Sequence, residues 1–91
     1  MPDARTPLMP YRYQPVILDE LARFGVFPTE DTPPALVHEF INDLYRFELR
    51  RLRERLATGK IAKADYSGHV IELRRRYPLV SIRASLWLMP E

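Results

Sequence analysis

The chain has 91 residues, a formal net charge of +2 and no cysteine, and its hydrophobic (46%) and charged (29%) fractions match those of globular domains. The absence of cysteine excludes a disulfide framework, a thiolate zinc site and a cysteine nucleophile. No apolar run reaches the roughly 20 residues that a membrane span needs, and the first residues do not resemble a signal peptide. We therefore expect one domain, residues 1–91, with no membrane span and a cytoplasmic location.

Charge is unevenly distributed along the chain. Residues 1–45 contain three basic and seven acidic side chains, whereas residues 46–91 contain eleven basic and five acidic ones. This asymmetry indicates an anionic partner.

Residues 1–14 are predicted to form an extended arm, because their three prolines disfavour helix and remove backbone donors. The arm carries more apolar and aromatic side chains than a solvated tail usually does, among them Leu8, Tyr11 and Tyr13. These side chains either pack on the chain's own helices or dock on another chain, and the sequence supports both interpretations.

A short first helix is predicted at about residues 15–24. Pro15 suits a first helical position, and Gly25 can take the left-handed conformation that ends a helix. Three apolar residues share one face of this helix: Ile17, Leu21 and Phe24.

The longest predicted element is a central helix at about residues 33–58. Thr32 is a favourable N-cap before Pro33, and Gly59 can end the helix in a left-handed conformation. Its apolar residues form two clusters that are rotated relative to each other about the helix axis. The first cluster contains Leu36, Val37, Phe40, Ile41, Leu44 and Phe47, and the second contains Tyr45, Leu49, Leu52 and Leu56. We expect the first half to pack on the N-terminal helix and the second half on a C-terminal one.

A third helix is predicted at about residues 63–77 and should end before Pro78. Gly68 lies inside it and costs up to about 1 kcal/mol relative to alanine, unless a close helix crossing compensates. A narrow apolar stripe runs along this helix and contains Tyr66, Val70, Leu73 and Tyr77.

The turn between the last two helices has a pattern found elsewhere. The residues concerned are Leu52, Leu56, Gly59, Ile61, Asp65, Tyr66, Val70 and Leu73. This run resembles SHOCT-type short helical hairpins, in which one helix ends at Gly-x-Ile and the next begins just before an acidic and an aromatic residue. The resemblance covers residues 52–73. It implies an α-hairpin with an assembly or oligomerisation role, with Gly59, Ile61 and Tyr66 as structural positions.

The last stretch, residues 78–91, is strongly apolar and is predicted to form a second extended arm. Its residues alternate like a strand over a few positions, but a helical domain offers no sheet for it to join. It either packs back on the helices or docks elsewhere. Trp87 is the expected anchor, because tryptophan is enriched in binding hot spots.

No residue pattern commits the chain to a chemistry. His38-Glu39 resembles the start of a zinc-protease helix but lacks the second histidine. Glu39 and Asp43 share a helix face and are interpreted as a solvated acidic surface, and the chain has no glycine-rich phosphate loop. We expect no catalytic residue, no metal site and no cofactor, and a protein that is not an enzyme.

The fold predicted from the sequence is therefore all-α: a helical core at residues 15–77 with two terminal arms. The predicted function is a non-catalytic accessory or assembly subunit that docks through its arms on a larger protein or on a second copy. The predicted partner-binding residues are Leu8, Tyr11, Tyr13, Ile82, Leu86, Trp87 and Met89. The alternative prediction is a nucleic-acid-binding helical module that contacts phosphates through Arg46, Arg50, Arg53, Arg74, Arg75 and Arg76.

Overall fold

The protein is all-α in the computed structural model, which describes residues 10–90. The first helix, α1, spans Pro15–Ala22, the central helix, α2, spans Pro34–Ala57, and α3 spans Lys63–Arg76. Two 3₁₀ turns follow, η1 at Pro78–Ser81 and η2 at Ala84–Trp87. The three predicted helices are confirmed, with bounds that differ from the prediction by at most two residues. None of the described helices is long and apolar enough to cross a bilayer.

Glycines end two of the helices in the predicted way. Gly25 and Gly59 have φ angles of 73° and 75°, in the left-handed region where a residue with a Cβ is strained. After α2, the Gly59 amide donates to Leu56 at 3.1 Å and the Lys60 amide donates to Arg55 at 2.8 Å. This pair of bonds is a Schellman motif, which satisfies carbonyl groups at the end of a helix. The same motif ends α1, where the Gly25 amide donates to Ala22 at 3.0 Å and the Val26 amide donates to Leu21 at 3.1 Å.

The predicted N-cap of α2 was wrong by one residue. Pro33 is the N-cap, in an extended conformation, and Pro34 is the first helical residue. The Thr32 hydroxyl does not cap the helix; it accepts a 3.0 Å hydrogen bond from the Thr29 amide. Two consecutive prolines explain the shift, because Pro34 disfavours a helical conformation at Pro33 and moves the helix start one position later.

One core runs the length of the domain. At its centre Trp87, Leu21 and Ile41 have no exposed surface. The buried hydrophobic residues are Tyr13, Ile17, Leu21, Val37, Ile41, Leu52, Ile61, Leu73, Tyr77, Leu79 and Trp87.

The two halves of α2 do pack against different elements, as predicted, but the partner of the first half differs. The second half packs on α3, with Leu52 and Leu73 both buried between them. The tail turns η1 and η2 also contact α2, with the Trp87 ring beside His38 in its first half, and α1 contacts α2 less than they do. The apolar tail folds back over α2 because residues such as Leu79 and Trp87 would otherwise expose large apolar surfaces to water.

The two arms pair with each other. Tyr13 and Leu88 form an antiparallel β-bridge, and the Met89 amide donates a 2.7 Å hydrogen bond to the Arg12 carbonyl. The Gln14 side chain adds a 2.7 Å bond to the Leu86 carbonyl. These bonds satisfy backbone groups of both arms, so the described parts of the arms belong to the fold itself.

Aromatic side chains join α1, α2 and the end of α3. The Phe24 and Tyr77 rings stack with centroids 4.8 Å apart, and the Tyr45 ring lies 5.5 Å from the Tyr77 ring. The Tyr77 hydroxyl donates to the Glu48 carboxylate, which also lies 3.6 Å from the Arg76 guanidinium. Burial and the neighbouring Glu48 carboxylate both raise the pKa of Tyr77 above its ordinary value.

Candidate protein-binding surface

Two of the residues predicted to bind a partner are part of the chain's own core. Trp87 is fully buried and Tyr13 is 8% exposed, so neither can contact another molecule while the fold is intact. The Trp87 indole N–H donates to the Ile82 carbonyl at 3.1 Å, and its ring lies 5.1 Å from the His38 ring. Of the two alternatives that the sequence left open, Tyr13 and Trp87 follow the first: both side chains pack on the chain's own core and seal the tail onto α2.

Tyr13 is fixed in the core by its hydroxyl group as well as by its ring. The hydroxyl donates a 2.6 Å hydrogen bond to the Thr32 carbonyl, just before α2 begins. Burial is the main reason that the pKa of Tyr13 is raised to about 12, and the neighbouring Tyr11 contributes to the shift. Tyr13 therefore connects the N-terminal arm to the start of the central helix.

The remaining predicted docking residues are spread over different environments. Tyr11 and Ile82 are partly buried against the core. Leu86 and Met89 are 60% and 48% exposed and remain available at the surface. Leu8 lies outside the described residues. The tail thus offers two separate apolar side chains, and its large aromatic anchor faces inwards.

Three exposed apolar side chains lie along one line of α2. Leu36, Phe40 and Phe47 are 61%, 50% and 51% exposed, although their neighbours Val37 and Ile41 are buried. At about 100° per residue, these three exposed side chains fall within an arc of about 40° on the helix. That arc is about a third of a turn away from the buried face. We call Leu36, Phe40 and Phe47 the α2 stripe.

Charged side chains surround the α2 stripe. Asp43 lies between the two phenylalanines and is paired with Arg46 at 3.4 Å, and both side chains are about two-thirds exposed. The Arg51 guanidinium lies 5.9 Å from the centre of the Phe47 ring, in a cation–π arrangement. An apolar strip bordered by charges has the anatomy of a protein-binding surface, where a hydrophobic centre is enclosed by a polar rim.

The α2 stripe was missed in the sequence, although its signal was present there. The apolar residues of the first half of α2, from Leu36 to Phe47, cover an arc of roughly 140° by the same helical geometry. The prediction treated this arc as one core face. The tail covers only the flank that contains Val37 and Ile41, so the other flank is left in water.

The arginines of the nucleic-acid prediction do not form one surface. Arg46, Arg50 and Arg53 lie on the side of α2 away from α3, by the same helical geometry. Arg74 borders Tyr45 and Val80, whereas Arg76 lies in a separate groove between α2 and α3. Arg75 is 75% exposed and lies 3.8 Å from Glu72. The six side chains therefore point in at least three directions.

The groove between α2 and α3 instead collects basic residues that were not predicted to act together. It has a volume of about 270 Å³. Arg51, Arg55 and Arg76 line it, but so do Glu48 and Glu72, and Glu48 is already engaged by Arg76 and Tyr77. A phosphate in this groove would meet both guanidinium groups and carboxylates, and the carboxylates oppose its binding.

The described residues contain no cluster of three or more histidine, cysteine or acidic side chains that could hold a metal ion. His38 is held by Asn42, with Nδ1 and Nδ2 3.1 Å apart, and it packs on Trp87. Its Nε2 atom and the Oδ1 atom of Asn42 are buried and have no hydrogen-bond partner within residues 10–90.

No family model, no curated protein and no solved structure matches this chain. α2 and α3 are consecutive helices joined by a short turn that contains Gly59. The resemblance of residues 52–73 to SHOCT-type hairpins stays a prediction.

Proposed function

We propose that this chain is a cytoplasmic, non-catalytic assembly subunit that docks on protein through the α2 stripe. The observation that supports the proposal is the exposure of Leu36, Phe40 and Phe47 along one line of a 24-residue helix. Within residues 10–90, eleven other hydrophobic residues are buried in one core. An exposed apolar line that is bordered by charged side chains is one of the surface features that occur at interaction sites on soluble proteins.

The helical form of the stripe indicates how it binds. Leu36, Phe40 and Phe47 are spaced as i, i+4 and i+11, which is the spacing used when one helix packs lengthwise against another. Both phenylalanines have the size and rigidity of interface anchors, since an aromatic side chain offers a large contact area at a small entropic cost. A helix or a groove between helices is therefore the expected partner structure.

The size of the native complex tests this proposal. Tagged chain at native levels in its own cells should occur in an assembly larger than its 10.8 kDa mass, and Phe47→Glu should reduce it to the monomer. Ile71→Glu is the matched control, because Ile71 on α3 is 52% exposed, compared with 51% for Phe47. An assembly that survives Phe47→Glu, or a wild-type chain that is monomeric in the cell, would contradict the proposal.

Nucleic-acid binding is the second candidate. The observation in its favour is the meeting of Arg51, Arg55 and Arg76 in the groove between α2 and α3. Binding to duplex or single-stranded oligonucleotides at low salt, lost on raising the salt and weakened by Arg55→Glu, would support it. Absence of binding at low salt would eliminate it.

A further inference from the structure

Building on the proposed docking role of the α2 stripe, we infer that the stripe binds its counterpart on a second copy of this chain. The two α2 helices would lie antiparallel about a two-fold axis that passes close to Asp43. Two observations lead to this arrangement: the order of charges along α2 and the symmetric placement of the two phenylalanines about Asp43.

The charges along α2 change sign from one end to the other. The first half, residues 34–45, carries Glu39 and Asp43 and no lysine or arginine, whereas the second half, residues 46–57, carries five arginines and two glutamates. Antiparallel packing places the acidic half of each helix beside the basic half of the other. Parallel packing would place like charges side by side, which is destabilising.

The stripe is also close to symmetric about Asp43. Phe40 precedes Asp43 by three residues and Phe47 follows it by four. A two-fold axis at this point places Phe40 of each copy beside Phe47 of the other copy. The same contact therefore occurs twice, as a two-fold interface requires. Leu36 then lies over the Arg51 stem of the second copy, next to the ring that Arg51 already covers.

The same register brings opposite charges together along one edge of the pair. Glu39 and Arg46 are exposed and occupy the same flank of α2, one heptad apart. With the axis near Asp43, Glu39 of each copy faces Arg46 of the other. The two Asp43 carboxylates would lie near the axis and close to each other. Each of them is already paired with Arg46 of its own chain, and this pairing reduces their mutual repulsion.

The expected dimer is small and therefore concentration-dependent. A whole aromatic side chain has about 200 Å² of surface. Phe40 and Phe47, each about half exposed, and Leu36 together therefore offer roughly 300 Å² of apolar surface in each copy. Interfaces below about 1,200 Å² in total are characteristic of weak complexes. We accordingly expect dissociation in the micromolar range.

Sedimentation velocity of the purified full chain over a concentration series is the first test. The wild-type chain should shift from 10.8 kDa to twice that mass as its concentration rises, Phe47→Glu should remain monomeric, and Ile71→Glu should dimerise normally. A wild-type monomer at every concentration overturns the inference. If the native assembly in cells still requires Phe47, the stripe then binds a different protein; if that assembly is also absent, the proposed function fails as well.

Engineered cysteines test the antiparallel direction, and the chain has no native cysteine to interfere. Asp43→Cys lies beside the axis and should give a disulfide-linked dimer under mild oxidation, because a disulfide joins Cα atoms closer than about 7 Å. Residue 54 lies on the same line of α2 as residue 43. In the antiparallel pair its two Cα atoms would be roughly 35 Å apart, at 1.5 Å per residue, so Glu54→Cys should give no cross-link. A parallel pair would cross-link at both positions, and this result would overturn the antiparallel arrangement.

Charge reversal tests the register. Glu39→Arg alone and Arg46→Glu alone should each weaken dimerisation about tenfold, since each change turns two attractive contacts into repulsive ones. The double variant should bind more tightly than the two single effects added together predict, because it restores opposite charges at both contacts; recovery is partial, since Asp43 loses its pairing with Arg46. Two single effects that simply add in the double variant would overturn the Glu39–Arg46 pairing.

Discussion

Tyr13 and Leu88 form an antiparallel β-bridge, and this bridge closes the C-terminal tail onto the N-terminal arm. The bridge places Trp87 in the core, where its indole donates to the Ile82 carbonyl. The surplus of apolar side chains that the arms display in the sequence is largely consumed in this way. Two residues of the tail stay exposed, and a separate line of three apolar residues stays exposed on the outer flank of α2.

The first prediction concerns Trp87 and its neighbour. Trp87→Ala should lower the free energy of unfolding by about 3–5 kcal/mol, because it removes a fully buried aromatic side chain and leaves a cavity. Leu86→Ala is the matched control: this adjacent residue is 60% exposed, and its loss should cost under about 0.5 kcal/mol. Urea denaturation measures both. Equal effects would mean that Trp87 does not belong to the core.

The second prediction concerns the hydroxyl of Tyr13. Tyr13→Phe keeps the buried ring but leaves the Thr32 carbonyl without its 2.6 Å hydrogen bond. We expect a loss of about 1 kcal/mol in the free energy of unfolding. Tyr11→Phe serves as the control, since the Tyr11 hydroxyl donates no such bond within residues 10–90 and its ring is only partly buried. An unchanged stability for Tyr13→Phe would contradict the role given to this bond.

The third prediction follows from the raised pKa of Tyr13. Its pKa is about 12 in the folded chain and 10.0 for an unperturbed tyrosine. Because the folded state holds this proton more tightly, the associated stability is complete below about pH 10 and is lost as the pH rises from about 10 to about 12. Each such tyrosine contributes a slope of at most about 1.4 kcal/mol per pH unit. Urea midpoints of the wild-type chain at pH 9, 10 and 11 should therefore fall progressively.

Tyr13→Phe isolates the contribution of Tyr13 to that slope. The variant should lose less stability between pH 10 and pH 11 than the wild-type chain does. Tyr77, whose pKa is also raised, accounts for part of the remaining slope. Identical slopes for the variant and the wild-type chain would rule out Tyr13 as a source of the pH dependence.

The fourth prediction concerns two glycines in different backbone conformations. A Cβ at Gly68 would meet no atom within 4 Å, and the residue lies inside α3, so Gly68→Ala should stabilise the chain by about 0.5–1 kcal/mol. Gly59 has a φ of 75°, so Gly59→Ala should instead destabilise it, by roughly 1 kcal/mol. Thermal unfolding followed by circular dichroism distinguishes the two signs. A destabilising Gly68→Ala would indicate a close neighbour at that position.

Local sequence signals were sufficient for the helices and insufficient for the surface. Prolines and glycines mark where each helix begins and ends because they act through their own backbone geometry, and Gly25 and Gly59 have the predicted left-handed conformation. Whether Leu36 or Val37 is buried depends on which flank of α2 the tail covers. That choice is made by distant residues such as Leu79 and Trp87, and no local pattern encodes it.

The position of Trp87 illustrates the same limit. An apolar tail with a tryptophan has the same composition whether it packs on its own helices or on a partner. The outcome depends on hydrogen bonds between residues far apart in the chain, such as those from Gln14 to Leu86 and from Met89 to Arg12. Sequence reasoning left both alternatives open, and the fold selects the first for the described part of the tail.

The α2 stripe and the exposed tail can be compared directly by photo-cross-linking in the native cell. A photoreactive side chain at Phe47, which is 51% exposed, should form a covalent adduct with another polypeptide chain at native expression levels. The same side chain at Met89, which is 48% exposed in the tail, should form none. Adducts from position 89 and none from position 47 would contradict the assignment of docking to α2.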